Sequence, residues 1–339
     1  MIPTNFVYFS SGNAILHNRT ILSVLSLINN YYFNKEEKAE GKIIIFTDEP
    51  AYYIKQLGEI TYIEYILLTK DTIKQMMGKD DLIHRVKIGI IEQITQKYPT
   101  HKLFYIDSDT FFYKPFTHIL EKISPETTIM HKFEYKMEVL GAFEKGSKDN
   151  FREIHDHICT NEFIINQQKI KIDISTFASW NAGIIGLHPK HFSWLADVYE
   201  LTDQFYMQAR CHAAEQFAFS YILQTRTQLS DCEDYNRHYW HQIEKQIADE
   251  FLEKKLNDNF QKLSLEDKLK QIKQMCEYLY KTFPTHEYTH RYNAMIAFSE
   301  KKYKKGYKEV LLTLLKNPLQ KTVFFKDIAY YTKQMLFSK

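Results

Sequence analysis

The stretch at residues 104–109 reads FYIDSD, an apolar run that ends in two acids separated by one residue. Its apolar residues predict a buried strand from Lys102 to Ile106. Positions i and i+2 of an extended chain project to the same side, so the carboxylates of Asp107 and Asp109 face one point. Converging anions favour a divalent cation beside them, and oxygen ligands of this kind suit Mg²⁺ or Mn²⁺. An exposed acidic turn after the strand is the alternative.

Short β-rich runs alternate with helical patterns before this strand. Strands are predicted at residues 6–9, 43–46 and 62–68. Helices are predicted at residues 18–32 and from 80 or 81 to about 97, with a short helix between them that ends at residue 55. The alternation predicts an α/β fold with a mixed, mainly parallel sheet flanked by helices. Ligands of such sheets lie beyond the carboxyl ends of the strands, where the two acids are found.

Residues 132–177 interrupt the alternation with a polar, mixed sequence, which we interpret as an insertion. A strand at 180–187 follows, then helices from about 190 and from about 213 to 224. Beyond residue 241 the chain is rich in lysine and helical in pattern. We therefore predict one domain over residues 1–241 and a basic helical extension over residues 242–339.

The 339 residues are 44% hydrophobic and 25% charged, which is typical of a globular chain. The net charge of +2 is uneven: residues 242–339 carry +7, from 19 Lys and Arg against 12 Asp and Glu, which leaves −5 for the rest. We expect no nucleic-acid partner for this acidic body. The sequence has no apolar run that could span a bilayer, no signal-peptide pattern and four scattered cysteines, so we expect a cytoplasmic protein.

Two charged residues fall on the apolar faces of predicted helices. Lys87 must either extend to the edge of its face or meet an anion, such as a diphosphate. Arg85 points to the opposite side, which favours solvent, but its place near the helix start leaves contact with a ligand open. Glu215 lies in the first turn of its helix, where it either stabilises the helix N-terminus or binds or deprotonates a substrate hydroxyl.

Two further segments supply candidate site residues. Asn181-Ala182-Gly183 allows the backbone to approach a ligand closely, because glycine lacks a Cβ, with a packing turn as the alternative. His238 and His241 follow the last predicted strand in an aromatic segment. Either of them can complete a metal shell or serve as an ordinary core or surface histidine.

In combination and order, these segments resemble the GT-A glycosyltransferases that use nucleotide-sugar donors, particularly bacterial members related to the glycogenin and lipopolysaccharide galactosyltransferase type. The resemblance covers residues 4–245 and depends on Asp107-Ser108-Asp109, on 180–186, on Glu215-Gln216 and on 238–245. Two departures are Glu215, where the related families often have Asp, and Trp240-His241, where they have a glycine soon after the histidine.

The resemblance implies a GT-A fold and transfer of a sugar from a nucleoside-diphosphate sugar, with UDP-sugar as the expected donor. The acceptor would be a hydroxyl of a glycan or lipid-linked molecule that enters beside residues 132–177, and the cofactor would be Mn²⁺ or Mg²⁺. The implied metal ligands are Asp107, Asp109 and His238, with His238 favoured over His241 by position. The implied donor and sugar contacts are Lys87, Arg85, Asp107, Asn181, Ala182, Gly183, Gln216 and Lys245, and the catalytic roles fall to Glu215 and Asp109.

Two other functions are open. A phosphatase of the haloacid-dehalogenase type also has Asp-x-Asp after an apolar strand, but it usually has Gly-Thr after the second Asp, where this chain has Thr110-Phe111. A nucleotide-sugar or glycan-binding protein on a catalytically degenerate scaffold is the non-enzymatic alternative.

The end of the chain is strongly basic. From Tyr288 onward, 11 Lys and Arg stand against 3 acids, interleaved with aromatic residues and leucines. This pattern predicts peripheral contact with the inner face of a membrane, since basic helices with an apolar face adsorb to anionic lipid. A basic helical subdomain packed on the core is the alternative.

Overall fold

The structure is a computed structural model that describes residues 2–32, 41–320 and 322–337. The chain divides into two compact units, Met1–His238 and Tyr239–Lys339. The sequence pattern predicts this division after residue 241.

The strands of the first unit are, in chain order, β1 (Thr4–Ser10), β2 (Ile43–Thr47), β3 (Ile63–Leu67), β4 (Lys102–Asp107), β5 (Thr110–Phe112), β6 (Thr127–Lys136), β7 (Phe163–Ile165), β8 (Gln168–Ile170), β9 (Ala178–Leu187), β10 (Gln228–Ser230) and β11 (Asn236–His238). Within the described residues, seven of them form one sheet in the order β10-β6-β9-β4-β1-β2-β3. Strand β9 runs antiparallel to both neighbours, and the other pairings in this sheet are parallel. Two short antiparallel pairs, β5 with β11 and β7 with β8, lie outside it.

The helices of the first unit are α1 (Ala14–Leu27), α2 (Pro50–Leu57), α3 (Lys70–Met77), α4 (Arg85–Lys97), α5 (Thr117–Lys122), α6 (Phe151–Thr160), α7 (Leu195–Ala209) and α8 (Ala214–Arg226). Those of the second unit are α9 (Gln242–Lys255), α10 (Asp258–Gln261), α11 (Leu265–Thr282), α12 (Glu287–Ser299), α13 (Tyr303–Lys316) and α14 (Thr322–Phe337). The predicted fold class is confirmed: a mixed, mainly parallel sheet flanked by helices, followed by a helical region.

Some predicted helix boundaries were wrong. Helix α4 begins at Arg85 and not at residue 80 or 81, because Asp81 has a left-handed backbone with φ of 53° that no α-helix accommodates. Helix α1 begins earlier than predicted, at Ala14, since the Asn13 side chain accepts the N–H groups of Ile15 and Leu16 and caps it. The segment 132–177 also contains α6 and the β7–β8 pair.

The core of the first unit lies on the two faces of β1 and β4. Phe6, Phe104 and Phe116 pack edge-on or stacked with ring centroids 6.0–6.2 Å apart on one face. Val7 and Tyr105 belong to the large apolar cluster on the other. Central strands buried on both faces require continuous apolar runs, which is why these runs were identifiable in the sequence.

The second unit has its own apolar core, in which Ala294, Phe298, Val310 and Phe324 are buried. The Phe298 ring stacks on Tyr331 and meets Tyr307 edge-on, so α12, α13 and α14 share one aromatic contact. Across the described residues, none of the helices combines the length and the apolar character needed to cross a membrane.

Replacing Phe104 by Ala tests the central position of β4. The side chain is fully buried, so we expect the free energy of unfolding to fall by about 3–5 kcal/mol. Phe133→Ala is the matched control, since Phe133 is 47% exposed and should lose about 1 kcal/mol or less. Urea unfolding measures both, and equal losses would contradict a core centred on β4.

Candidate metal centre

Three side chains converge just beyond the carboxyl end of β4. Asp107 is the last residue of the strand and Asp109 lies in the turn before β5. The Nε2 atom of His238 lies 3.1 Å from Oδ1 of Asp109 and 3.9 Å from Oδ2 of Asp107. Among the residues that the structure describes, these three form the one group of acids and histidines whose ligand atoms lie mutually within 4.8 Å.

The short β5–β11 pair brings the histidine to the acids. His238 is paired with Thr110, the residue immediately after Asp109, in the antiparallel register of these strands. The imidazole is thereby placed next to a carboxylate that lies 129 positions earlier in the chain. Three-residue strands carry little sequence signal, so this pairing was not visible in the sequence.

The group fits a divalent cation. Two ligand atoms on one octahedral cation lie about 3 Å apart when each bond is about 2.1 Å long, which is the spacing between His238 and Asp109. Side-chain exposure is 28% for Asp107 but only 9% and 5% for Asp109 and His238. The group is therefore anchored on one side and open to solvent on the Asp107 side.

Lys87 is buried on α4. Of the two alternatives that the sequence left open for it, it meets anions and does not extend to the edge of the helix face. Its Nζ atom donates to the Ala182 carbonyl at 2.9 Å and lies 3.4 Å from both Asp107 Oδ2 and Glu215 Oε1. Burial lowers the pKa of Lys87, but the charges of Asp107 and Glu215 outweigh it and the net shift is upward. The ammonium therefore donates to the Ala182 carbonyl and to Asp107, and it forms an ion pair with Glu215.

Glu215 is 2% exposed and lies in the first turn of α8, facing Lys87. Burial, partly offset by the charge of Lys87, raises the pKa of Glu215 to about 7. Lys87 and Glu215, which fall on the apolar faces of two different predicted helices, are thus partners of each other. Contact of Glu215 with a substrate hydroxyl stays a prediction.

The Asn181-Ala182-Gly183 segment contacts the site from β9. Asn181 Oδ1 lies 2.8 Å from Nδ1 of His238, and the Ala182 carbonyl accepts from Lys87. The side chain of Gln216 accepts from the Ala182 N–H at 3.2 Å and so ties α8 to β9. A Cβ on Gly183 would lie 2.2 Å from Nδ1 of His238, so only glycine leaves room for the imidazole here.

Three other candidates, Arg85, Lys245 and His241, are not members of this group. The Arg85 guanidinium forms a bidentate pair with Asp203 of α7, at 2.8 and 3.2 Å, and lies over the Tyr199 ring. Lys245 lies in the first turn of α9 in the second unit. His241 caps the same helix by accepting the Ile243 N–H, and it is not a member of the Asp107, Asp109 and His238 group.

Two residues of β6 border the site and were missed in the sequence. The Glu134 carboxylate accepts hydrogen bonds from Asn181, Gln216 and Ser179 at 2.9, 2.8 and 3.1 Å. His131 meets the His238 ring edge-on at 5.3 Å; burial, and then the nearby His238, lower its pKa well below 6.5. Residues 132–136 alternate between polar and apolar, which is the pattern of a strand. The prediction of an insertion over residues 132–177 did not take this pattern into account.

The fold and the site together define an α/β protein with a candidate divalent-metal centre at the carboxyl end of its central strand. No family model and no curated protein matches the chain. Among solved structures, it is similar to an apo structure of the bifunctional glycosyltransferase WbbM, with a TM-score of 0.42 and 11% sequence identity. The match covers 68% of this chain and 39% of the WbbM chain.

Glu215 makes stability depend on pH in a defined window. Its folded-state pKa of about 7 exceeds the ordinary value of 4.5, so its favourable contribution is complete below pH 4.5 and is lost as the pH rises to about 7. Between these pH values we expect the parent protein to lose stability relative to Glu215→Gln. Urea unfolding in a metal chelator measures this difference.

The exposed Glu144 offers a matched control, because Glu144→Gln should follow the pH profile of the parent protein. Parallel profiles for the parent and Glu215→Gln would show that the carboxyl group keeps an ordinary pKa.

Proposed function

We propose that this protein is a divalent-metal-dependent glycosyltransferase of the GT-A type. It would transfer a sugar from a nucleoside-diphosphate sugar, with a UDP-sugar as the expected donor, to a hydroxyl of a glycan or lipid-linked acceptor. The observation that carries the proposal is the convergence of Asp107, Asp109 and His238 beyond the carboxyl end of β4. Ligand binding at this edge is the rule for open α/β sheets.

In this proposal, Asp107, Asp109 and His238 hold Mn²⁺ or Mg²⁺. These residues would place the positive charge of the cation beside the nucleoside-diphosphate leaving group, on which negative charge develops as the anomeric bond breaks. The greater exposure of Asp107 supports an approach of the diphosphate from that side. Imidazole as a ligand favours Mn²⁺ over Ca²⁺.

The residues around the acids would have two kinds of role. Lys87 orients Asp107, and Glu215 acts through Lys87, since the Lys87 ammonium lies between the two carboxylates. Gln216 and the 181–183 segment would border the sugar. Arg85 would support the position of α4 through its pair with Asp203.

Asp109→Asn tests the proposed metal role. The substitution removes one anion from the group without changing side-chain size, so we expect Mn²⁺-dependent binding of UDP to fall by at least tenfold. Isothermal titration of UDP with and without Mn²⁺ measures the loss, and circular dichroism checks the fold. Mn²⁺-dependent hydrolysis of UDP-sugars by the parent protein separates an enzyme from a binding protein on the same scaffold.

His238→Ala should behave like Asp109→Asn, whereas His241→Ala is the matched control, since His241 caps α9 instead. The reverse ranking of the two histidines would transfer the ligand role to His241. Undiminished UDP affinity in Asp109→Asn would contradict the metal role altogether.

We also propose peripheral contact with anionic membranes through the second unit. On α13, Leu311 and Leu315 are 58% and 72% exposed and lie one turn apart, on a helix that also carries Lys304 and Lys305 at exposed positions. Exposed leucines beside lysines suit the boundary between headgroups and acyl chains.

The double charge reversal Lys304→Glu/Lys305→Glu should weaken binding to anionic vesicles by at least about 30-fold at low salt, since each lost cation near the surface removes about 1 kcal/mol and each added carboxylate is repelled by the anionic lipid. Co-sedimentation with anionic and neutral vesicles measures it. Lys70→Glu/Lys74→Glu, two exposed lysines of α3, is the matched control. Equal binding of the parent protein to both kinds of vesicle would contradict the proposal.

A further inference from the structure

The side chain of Asn181 is fixed in one orientation by two neighbours. Its Oδ1 accepts the N–H of Gly183 at 3.0 Å, and its Nδ2 donates to Oε1 of Glu134 at 2.9 Å. A backbone N–H requires an acceptor and a carboxylate requires a donor. Exchanging the amide oxygen and nitrogen would break both contacts, so the oxygen must face Gly183.

This orientation determines which nitrogen of His238 carries a proton. The Asn181 oxygen lies 2.8 Å from Nδ1 of His238, and a carbonyl oxygen cannot donate. Nδ1 must therefore be the protonated nitrogen, which leaves the lone pair of the neutral ring on Nε2. Nε2 is the atom that faces the carboxylates of Asp107 and Asp109.

Gly183 makes this contact possible, because a Cβ at this position would lie 2.2 Å from Nδ1 and 2.3 Å from Cε1 of His238. Any side chain at position 183 would push the imidazole away from both Asn181 and the acids. Asn181 and Gly183 thus act on the same ring, one by hydrogen bonding and one by leaving space.

We propose that Asn181, itself fixed by Glu134, is a positioning residue that holds His238 in the Nδ1–H tautomer and directs Nε2 towards the metal. The inference rests on the metal centre of the proposed function, but not on any donor or acceptor. It gives Asn181 a role towards the metal ligand His238, in addition to the place beside the sugar that the resemblance implied. Partners of this kind commonly fix the tautomer of metal-bound histidines.

The first test compares Asn181→Ala with Ser179→Ala, a matched control that also loses a hydrogen bond to Glu134 but is not part of the Asp107, Asp109 and His238 group. Mn²⁺ affinity is measured without nucleotide by electron paramagnetic resonance of the free ion. We expect Asn181→Ala to bind Mn²⁺ about 10–100-fold more weakly and Ser179→Ala to retain the affinity of the parent protein.

The second test reads the tautomer in metal-free protein. At about pH 9, ¹⁵N chemical shifts distinguish a ring protonated on Nδ1 from one protonated on Nε2. His238 of the parent protein should carry its proton on Nδ1, and Asn181→Ala should lose this preference. This readout remains available even if the protein proves to have no glycosyltransferase activity.

A conservative pair of changes provides the rescue. In Asn181→Asp/Glu134→Gln, a carboxylate oxygen at position 181 still accepts from His238 and Gly183. The hydrogen bond between positions 181 and 134 is kept with its direction reversed, since the amide introduced at position 134 now donates to the carboxylate introduced at position 181. We expect this double variant to recover the Nδ1–H tautomer and most of the Mn²⁺ affinity, whereas a general packing role for Asn181 would not predict recovery.

The proposal is overturned if Asn181→Ala retains the tautomer and the Mn²⁺ affinity of the parent protein, or if the double variant is as impaired as Asn181→Ala. A parent protein with the Nδ1–H tautomer that binds Mn²⁺ but hydrolyses no UDP-sugar would contradict the proposed function and leave the positioning role supported.

Discussion

The mutual repulsion of Asp107 and Asp109 is the constraint on which the arrangement of the first unit depends. Two carboxylates at one strand end are stable only if other groups compensate their charge. The fold supplies a compensating charge for Asp107, the Lys87 ammonium of α4, and it places Nε2 of His238 from β11 beside Asp109, where the two side chains would share a cation. Asp107 is the most exposed of the three side chains, so the proposed cation would be reached from its side.

The buried Lys87 couples this pair of acids to a third carboxylate. A buried ion pair contributes little net stability, but removing one partner leaves a buried charge uncompensated, which is costly. Lys87, Asp107, Asp109 and Glu215 carry a formal charge of −2 when all four are ionised, one positive against three negative. A divalent cation balances this charge, which is a physical reason for the acids and the lysine to be found together.

The sequence predicted the fold well where burial imposes a simple pattern. Strand β4 and its acidic end were predicted because a strand covered on both faces is apolar throughout. Lys87 and Glu215 were noticed because each breaks an apolar helical face. Their pairing was not predictable, since it depends on how α4 and α8 pack against β9, and no local pattern records the contact between residues so far apart in the chain.

Irregular strands account for most of what the sequence did not predict. The register between β6 and β9 shifts twice, between Met130 and Lys132 and again between Phe133 and Tyr135. Glu134 lies in the second shift, and Ala182 and Gly183 lie opposite the first, between Asn181 and Ile185 of β9. Bulges of this kind re-aim side chains beside functional sites, and neither composition nor alternation indicates where they fall.

The first shift gives the Asn181-Ala182-Gly183 segment its several contacts. A regular strand would direct alternate residues to opposite faces and commit the backbone groups to neighbouring strands. Here the Ala182 carbonyl accepts from Lys87, the Ala182 N–H donates to Gln216, and Gly183 leaves room for His238. The close backbone approach that glycine permits therefore serves the protein's own side chains. Since Lys87 and His238 are the partners of the two acids, a change in this one segment would affect both halves of the metal centre together.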